Sequence, residues 1–354
     1  MVLSKNLSLK ISILLTSVII ALLLCELSLR FVFKAWPFEQ NVNLPYLTPK
    51  DEVLRFRVTP ENGRNSLGLR NREIKEKKDQ FRILFLGDSL VWGGDTSSGE
   101  LYTQVIEKNL NKESYRLGCE VEVINGGIPG YTTFQEFEFL KIYGLDMKPD
   151  LVILGFALND LYKYFHKPTK NKILGLDPSR NLNRFDVDTY PGSLLSQSYL
   201  AHMTVWALDL ILKKIIGFPY FTFNYRSDTY TAWKDYAWRK ESELIDEMNG
   251  LLKKKGIKFV IVSFPLSEQL NDKNLQLNRE YVLFPQKKLK ELCNSYKIPY
   301  LDLTDAIYRN GGTRLYNDYF HLNLRGNDIV ARVITDFLTI NKFVTNRVQN
   351  KQPP

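Results

Sequence analysis

Short apolar runs, each stopped by a glycine or polar turn and followed by a helical pattern, recur along most of this chain. This alternation limits its architecture more than any other feature. Phe81-Arg-Ile-Leu-Phe-Leu86 stops at Gly87, Val121-Glu-Val-Ile124 at Asn125-Gly126-Gly127, and Leu151-Val-Ile-Leu-Gly-Phe156 at Ala157-Leu158-Asn159. Lys258 to Phe264 is a fourth run and Ile298 to Leu303 a fifth. Glu100 to Lys112 and Phe134 to Met147 carry helical spacing, and Arg325 to Leu338 reads as a closing helix. Apolar strands alternating with amphipathic helices form a parallel sheet covered on both faces. The expected fold class is α/β, a three-layer sandwich around about five parallel strands.

Composition narrows the function. Hydrophobic residues are 44% and charged residues 25% of the 354, which excludes a mostly disordered chain. Three cysteines are too few for a disulfide-stapled scaffold. No CxxC or HExxH spacing occurs, so no zinc motif, and no metal or cofactor is implied. The net charge of +9 is spread along the chain without a basic stripe or a nucleic-acid module, so it reads as solubilising surface charge and no nucleic-acid partner is expected. Only His166, His202 and His321 are available to a histidine-dependent mechanism.

The N-terminus has membrane character. Ile11 to Cys25 carries no charge, and continuation as a helix through Glu26-Leu-Ser-Leu-Arg30-Phe-Val-Phe33 makes it long enough to span. Glu26 and Arg30, four apart, can pair on one face near the interface, with Lys34 and Trp36 at the boundary. A cleaved signal peptide would need a small-residue cleavage site after the run, and a lipoprotein would need a small residue where Leu24 precedes Cys25. An uncleaved anchor is therefore expected. Lys5 and Lys10 precede the span and no acid does, which puts the N-terminus in the cytoplasm and the rest of the chain outside. There Cys119 and Cys293 would meet a disulfide-permissive space, and whether they pair stays open.

Asn41 to Gln80, rich in Pro, Asn and charge, reads as an extended connector that packs on the domain in places, with the charged run Arg72 to Asp79 a solvated loop. The third and fourth strands are too far apart for one βα connection, so residues 161–229 read as an insertion, with an aromatic run at Phe218 to Tyr225 that reads as a small satellite core. The expected division is a cytoplasmic tail (1–10), an anchor (11–33), a connector (34–80), a main domain (81–340) and a C-terminal tail (341–354).

In open parallel sheets, ligands bind at the carboxyl edge of the strands. Read in order, those edges carry Gly87-Asp88-Ser89-Leu90, Asn125-Gly-Gly-Ile-Pro-Gly130, Ala157-Leu158-Asn159-Asp160 and, after the fifth strand, Asp318-Tyr-Phe-His321. Ser89 at a strand-to-helix turn suits a nucleophile, His321 a base and Asp318 a group that orients the imidazole. The backbone N–H groups of Ser89 and Gly130 with the Asn159 amide suit an oxyanion hole. Asp88 and Asp160 read as turn and cap residues. His166 and His202 have no Asp three residues before them and are not assigned as the base.

These four blocks, in this order, resemble the SGNH hydrolases, also called the GDSL esterases and lipases. FLGDS, NGGIPGYTT, ALND and DYFH are similar to the family's successive blocks, and the resemblance covers about Phe81 to Leu338. Asn65-Ser-Leu-Gly-Leu-Arg70 is similar to a stretch in membrane-anchored bacterial members. The third block departs from the family at Ala157, where Gly is usual, and the methyl group is expected to crowd the oxyanion pocket without removing the donor. The resemblance implies a flavodoxin-like SGNH fold and a carboxylic ester hydrolase with catalytic Ser89, Asp318 and His321 and oxyanion donors Ser89, Gly130 and Asn159. It implies an acylated cell-surface polysaccharide or a lipid as substrate, processed at the outer side of the cytoplasmic membrane. A sugar hydroxyl in place of water would make the protein a polysaccharide O-acetyltransferase, and a non-catalytic glycan-binding protein on the same fold is the remaining alternative.

Overall fold

The computed structural model describes residues 2–32, 47–49, 54, 56–60, 63–94, 100–112, 118–161, 195, 198–216 and 229–344. Most of the expected insertion, including its aromatic run and His166, lies outside the described residues, as does the tail from 345. The chain forms two compact units, residues 1–41 with 163–227 and residues 42–162 with 228–354.

In chain order the elements begin with α1 (Val2–Val32), β1 (Leu47–Pro49), β2 (Phe56–Val58), β3 (Phe81–Gly87), α2 (Ser89–Trp92), α3 (Tyr102–Lys112), β4 (Val121–Gly127), α4 (Thr133–Phe139) and β5 (Leu151–Phe156). They continue with α5 (Tyr199–Ile216), α6 (Asp235–Lys254), β6 (Lys258–Ser263), α7 (Asp272–Val282), α8 (Phe284–Tyr296), β7 (Tyr300–Asp302), α9 (Thr304–Asn310) and α10 (Leu324–Ile340).

The larger unit is built on a five-stranded sheet in the order β4-β3-β5-β6-β7, every pair parallel. Taken in sequence this is the 2-1-3-4-5 order of flavodoxin-like sheets, whose switch point lies between the first and third strands. Every residue of β3, β4 and β5 is buried, so both faces are covered and an alternating apolar pattern is not needed. α3 packs on β4 and against α10, while α6 packs on β6 and against α4 and α8. β7 is shorter than its apolar run, because Pro299 has no N–H to donate to a ladder. The helical pattern after Phe134 also changes form: α4 stops at Phe139, and Leu140–Gly144 is a π-turn whose Tyr143 hydroxyl accepts a 2.7 Å bond from Arg57 of the connector.

The connector is bonded to the sheet. Asn65 closes a turn by accepting from Leu67 and Leu69 N–H, and the Asn71 side chain bonds both the N–H and the C=O of Asn125 on β4. The charged run after it is not wholly solvated: Lys77 is buried against Asp150, and only part of the run faces water. Cys119 and Cys293 do not pair; both are free thiols, and burial pushes the Cys293 thiol up to about 12.

In the smaller unit, α1 is long and apolar enough to cross a membrane, with a mean hydropathy of 2.4 and no burial over its most apolar window. Glu26 and Arg30 pair as their spacing suggests, at 2.7 Å. Glu26 also accepts from Ser198 Oγ and from the N–H groups of Tyr199 and Leu200, so it caps α5.

Candidate active site

The strand register brings three glycines side by side. Gly87 at the end of β3 is opposite Gly127 on β4 and Gly155 on β5. A methyl group on Gly127 would overlap the backbone of Val91 and Trp92, and one on Gly87 or Gly155 would overlap the Val91 side chain. This bare strip lets the short helix α2 lie directly on the carboxyl edge of the sheet, at the switch point. Its far end is pinned by Arg70, which donates to Trp92 and Gly94 C=O, and by Asn125, which donates to Val91 C=O. Ser89 opens this helix.

His321 Nε2 lies 2.8 Å from Ser89 Oγ, and His321 Nδ1 lies 2.8 Å from Asp318 Oδ2. The spacing of three between Asp318 and His321 has a local cause. Asp318 Oδ1 accepts from the N–H groups of Phe320 and His321, a tight turn that carries the imidazole back over its own carboxylate. Burial raises the Asp318 pKa, but the bonds from the His321 ring, the His321 N–H and the Phe320 N–H outweigh it and hold the carboxyl below its ordinary range. An ionised Asp318 accepting from Nδ1–H leaves Nε2 as the acceptor that faces Ser89. The Phe320 ring meets the imidazole edge-on at 5.5 Å between centroids.

Asn159 is placed by Asp88, the residue before Ser89. One Asp88 carboxyl oxygen accepts from Leu90 N–H at 2.8 Å and caps α2; the other accepts from Asn159 Nδ2 at 2.8 Å. The cap role expected for Asp88 is present, and the bond to Asn159 is an addition that no local pattern signals. It uses one amide hydrogen and leaves the second for another acceptor. Gly130 takes a φ of 79°, a left-handed conformation that favours glycine. Asp160 accepts from Ala157 N–H at 2.7 Å and closes the third block into a turn, with Ala157 fully buried inside it.

Behind Asp88 lies a cluster of buried acids that the sequence does not signal. Asp88, Glu136, Asp160 and Glu241 are each at most 3% exposed. Burial raises the Asp88 pKa, and its hydrogen bonds and the nearby His321 only partly oppose this. Burial pushes Glu136 and Asp160 far up, and their mutual repulsion with Asp88 and Glu241 adds to it. Burial pushes Glu241 up to about 8. Neighbouring carboxylates buried in low dielectric cannot all ionise together. Among the described residues no group of three or more His, Cys, Asp or Glu is arranged to hold a metal ion. The side chains of His166 and His202 are outside the described set.

The model of the GDSL-like Lipase/Acylhydrolase family matches residues 85–329. No curated protein matches the chain. Among solved structures, the chain is similar to an acetyl xylan esterase at 15% identity and a TM-score of 0.42, over 73% of this chain and 100% of that one. It is similar to a lipase/acylhydrolase from Enterococcus faecalis at 16% identity and a TM-score of 0.42, over 74% and 97%. A catalytic mutant of an acetylxylan esterase from Geobacillus stearothermophilus gives 14% identity and a TM-score of 0.43, over 75% and 95%.

Proposed function

Because the chain belongs to the GDSL-like lipase/acylhydrolase family, and is therefore an ester-hydrolysing serine enzyme, we propose that Ser89, His321 and Asp318 carry its reaction on an acyl ester of a cell-surface polysaccharide or lipid. The unbroken hydrogen-bond line from Ser89 Oγ through both imidazole nitrogens to Asp318 is the observation that carries this reading.

Ser89 Oγ attacks the ester carbonyl while His321 Nε2 takes its proton. Asp318 holds the ring and stabilises the imidazolium that forms. The tetrahedral oxyanion is bound by the Ser89 and Gly130 N–H groups and by the amide hydrogen of Asn159 that Asp88 does not use. His321 returns its proton to the departing alkoxide, which leaves an acyl-Ser89 ester. His321 then takes a proton from water as the water attacks, and gives it to Ser89 as the acid is released.

α1 anchors the enzyme. Lys5 and Lys10 keep the N-terminus in the cytoplasm, and the catalytic unit faces the outer side, where surface polymers and outer-leaflet lipids are found. The test is hydrolysis of p-nitrophenyl acetate by the full chain in detergent, with Ser89→Ala beside it. Hydrolysis by the wild type and none by the variant supports the assignment; equal rates remove Ser89 from the mechanism.

A further inference from the structure

Resting on the reading that α1 crosses a membrane, we propose that α5 lies flat in the outer interface of the same bilayer, with Leu208, Ile211 and Ile215 turned into lipid. The depth of α5 is set by Glu26. Lys10 and Glu26 bound the charge-free run, and a helix rising ~1.5 Å per residue puts them roughly 24 Å apart along the axis. A hydrocarbon core is about 30 Å thick, so with Lys10 at the inner edge Glu26 lies ~6 Å inside the outer one, and the last turn of α1 completes the crossing.

A carboxylate at that depth needs partners, and α5 supplies them. Glu26 accepts from Ser198 Oγ at 2.9 Å, Tyr199 N–H at 3.0 Å and Leu200 N–H at 2.8 Å, and it pairs with Arg30 at 2.7 Å. The Arg30 guanidinium also covers the Tyr199 ring at 5.3 Å. The first turn of α5 is thus tied to the end of α1, with its positive dipole end on the acid. α5 therefore begins within about one helical turn of the outer edge of the hydrocarbon.

From there α5 runs 18 residues and presents an apolar stripe. Leu208, Ile211 and Ile215 are 50%, 53% and 74% exposed, at a spacing that puts them on one helix face. Positions 202, 209 and 213, which carry His, Asp and Lys, fall by register on the other side. A stripe of this kind on a water-surrounded helix is costly, whereas half-immersion satisfies both faces. Spanning is not the alternative, because among the described helices only α1 is long and apolar enough to cross a bilayer. α5 therefore lies on the membrane, and the anchor is a two-helix foot rather than a single tether.

The test uses the full chain in vesicles of phosphatidylethanolamine and phosphatidylglycerol. Cys25 and Cys119 are replaced by Ser, the buried Cys293 is kept, and one environment-sensitive NBD label is placed through Val18→Cys, Ile211→Cys or Lys213→Cys. Ester hydrolysis checks that each variant is folded. The expected result at 211 is strong quenching by a nitroxide near the lipid headgroup and several-fold weaker quenching by aqueous iodide, with the reverse at 213. Equal iodide access at 211 and 213 overturns the proposal, since the stripe would then face water. Shielding of 211 from both quenchers also overturns it, since protein would cover the stripe, either the following segment or a second copy. The label at 18 reports the anchor itself and should be quenched by a nitroxide at the acyl-chain end. Failure there refutes the anchor; failure at 211 alone refutes only the placement of α5.

Discussion

Replacing Glu241 by Gln should change how stability depends on pH, and the buried site sets the size of the effect. Glu241 is 3% exposed, and burial lifts its pKa from an ordinary 4.5 to about 8. Between those values the folded protein holds a proton that the unfolded chain releases. The folded state binds more protons than the unfolded state, so stability falls as pH rises through this window and is level outside it. Each pH unit costs about 1.4 kcal/mol per proton, so the loss from pH 5 to pH 8 is on the order of 4 kcal/mol. Gln has the same shape and does not ionise. Glu136 and Asp160 have the same sign of shift but remain in both proteins, so they largely cancel in the difference. The assay is guanidinium unfolding of the full chain in detergent at several pH values, followed by the fluorescence of the buried Trp92, Trp233 and Trp238. The two proteins should match near pH 5, and the variant should be the more stable by several kcal/mol at pH 8. Parallel stability curves from pH 5 to 8 would refute the reasoning, because Glu241 would then ionise without penalty.

His321→Ala should lower kcat about as much as Ser89→Ala in steady-state ester hydrolysis, because members of such a set act as a unit. Asn159→Ala should lower kcat by ~100-fold or more with little change in KM, since its bond strengthens as charge develops on the oxyanion; a normal kcat would leave Asn159 a turn residue. Gly127→Ala should disturb α2 and cost activity far beyond its loss of melting temperature, because the new methyl meets Val91 and Trp92 backbone that cannot give way. In membranes from cells that express the full chain, a carbonate wash should leave the protein in the pellet, and its release would contradict the anchor.

Local pattern was sufficient for the parts of this protein that are local. Apolar runs ended by turns marked the sheet strands, because burial on both faces favours apolar residues along a strand, with Arg82 and Glu122 admitted as a buried pair. Strand ends then pointed to Ser89, Gly130 and Asn159, and the three-residue spacing of Asp318 and His321 is one turn closed by its own backbone bonds. The charge-free stretch before Glu26 disclosed the apolar helix in the same way, since length and composition alone decide it. The π-turn at Leu140–Gly144 escaped, because a one-residue change in hydrogen-bond step leaves the apolar spacing almost unaltered.

What depends on register and on distant contact belonged to the tertiary structure. Gly127, Gly87 and Gly155 are unremarkable strand ends until parallel pairing sets them in a row under α2. The Asp88 bond to Asn159 joins residues 71 apart, and Glu26 caps a helix more than 170 residues away. Glu136 on α4 and Glu241 on α6 are charged residues, yet packing buries both. A residue's type and neighbours set the strand or helix it enters. Its dielectric surroundings and its partners are set by chain segments that meet only when the sheet closes its register and the helices settle on it.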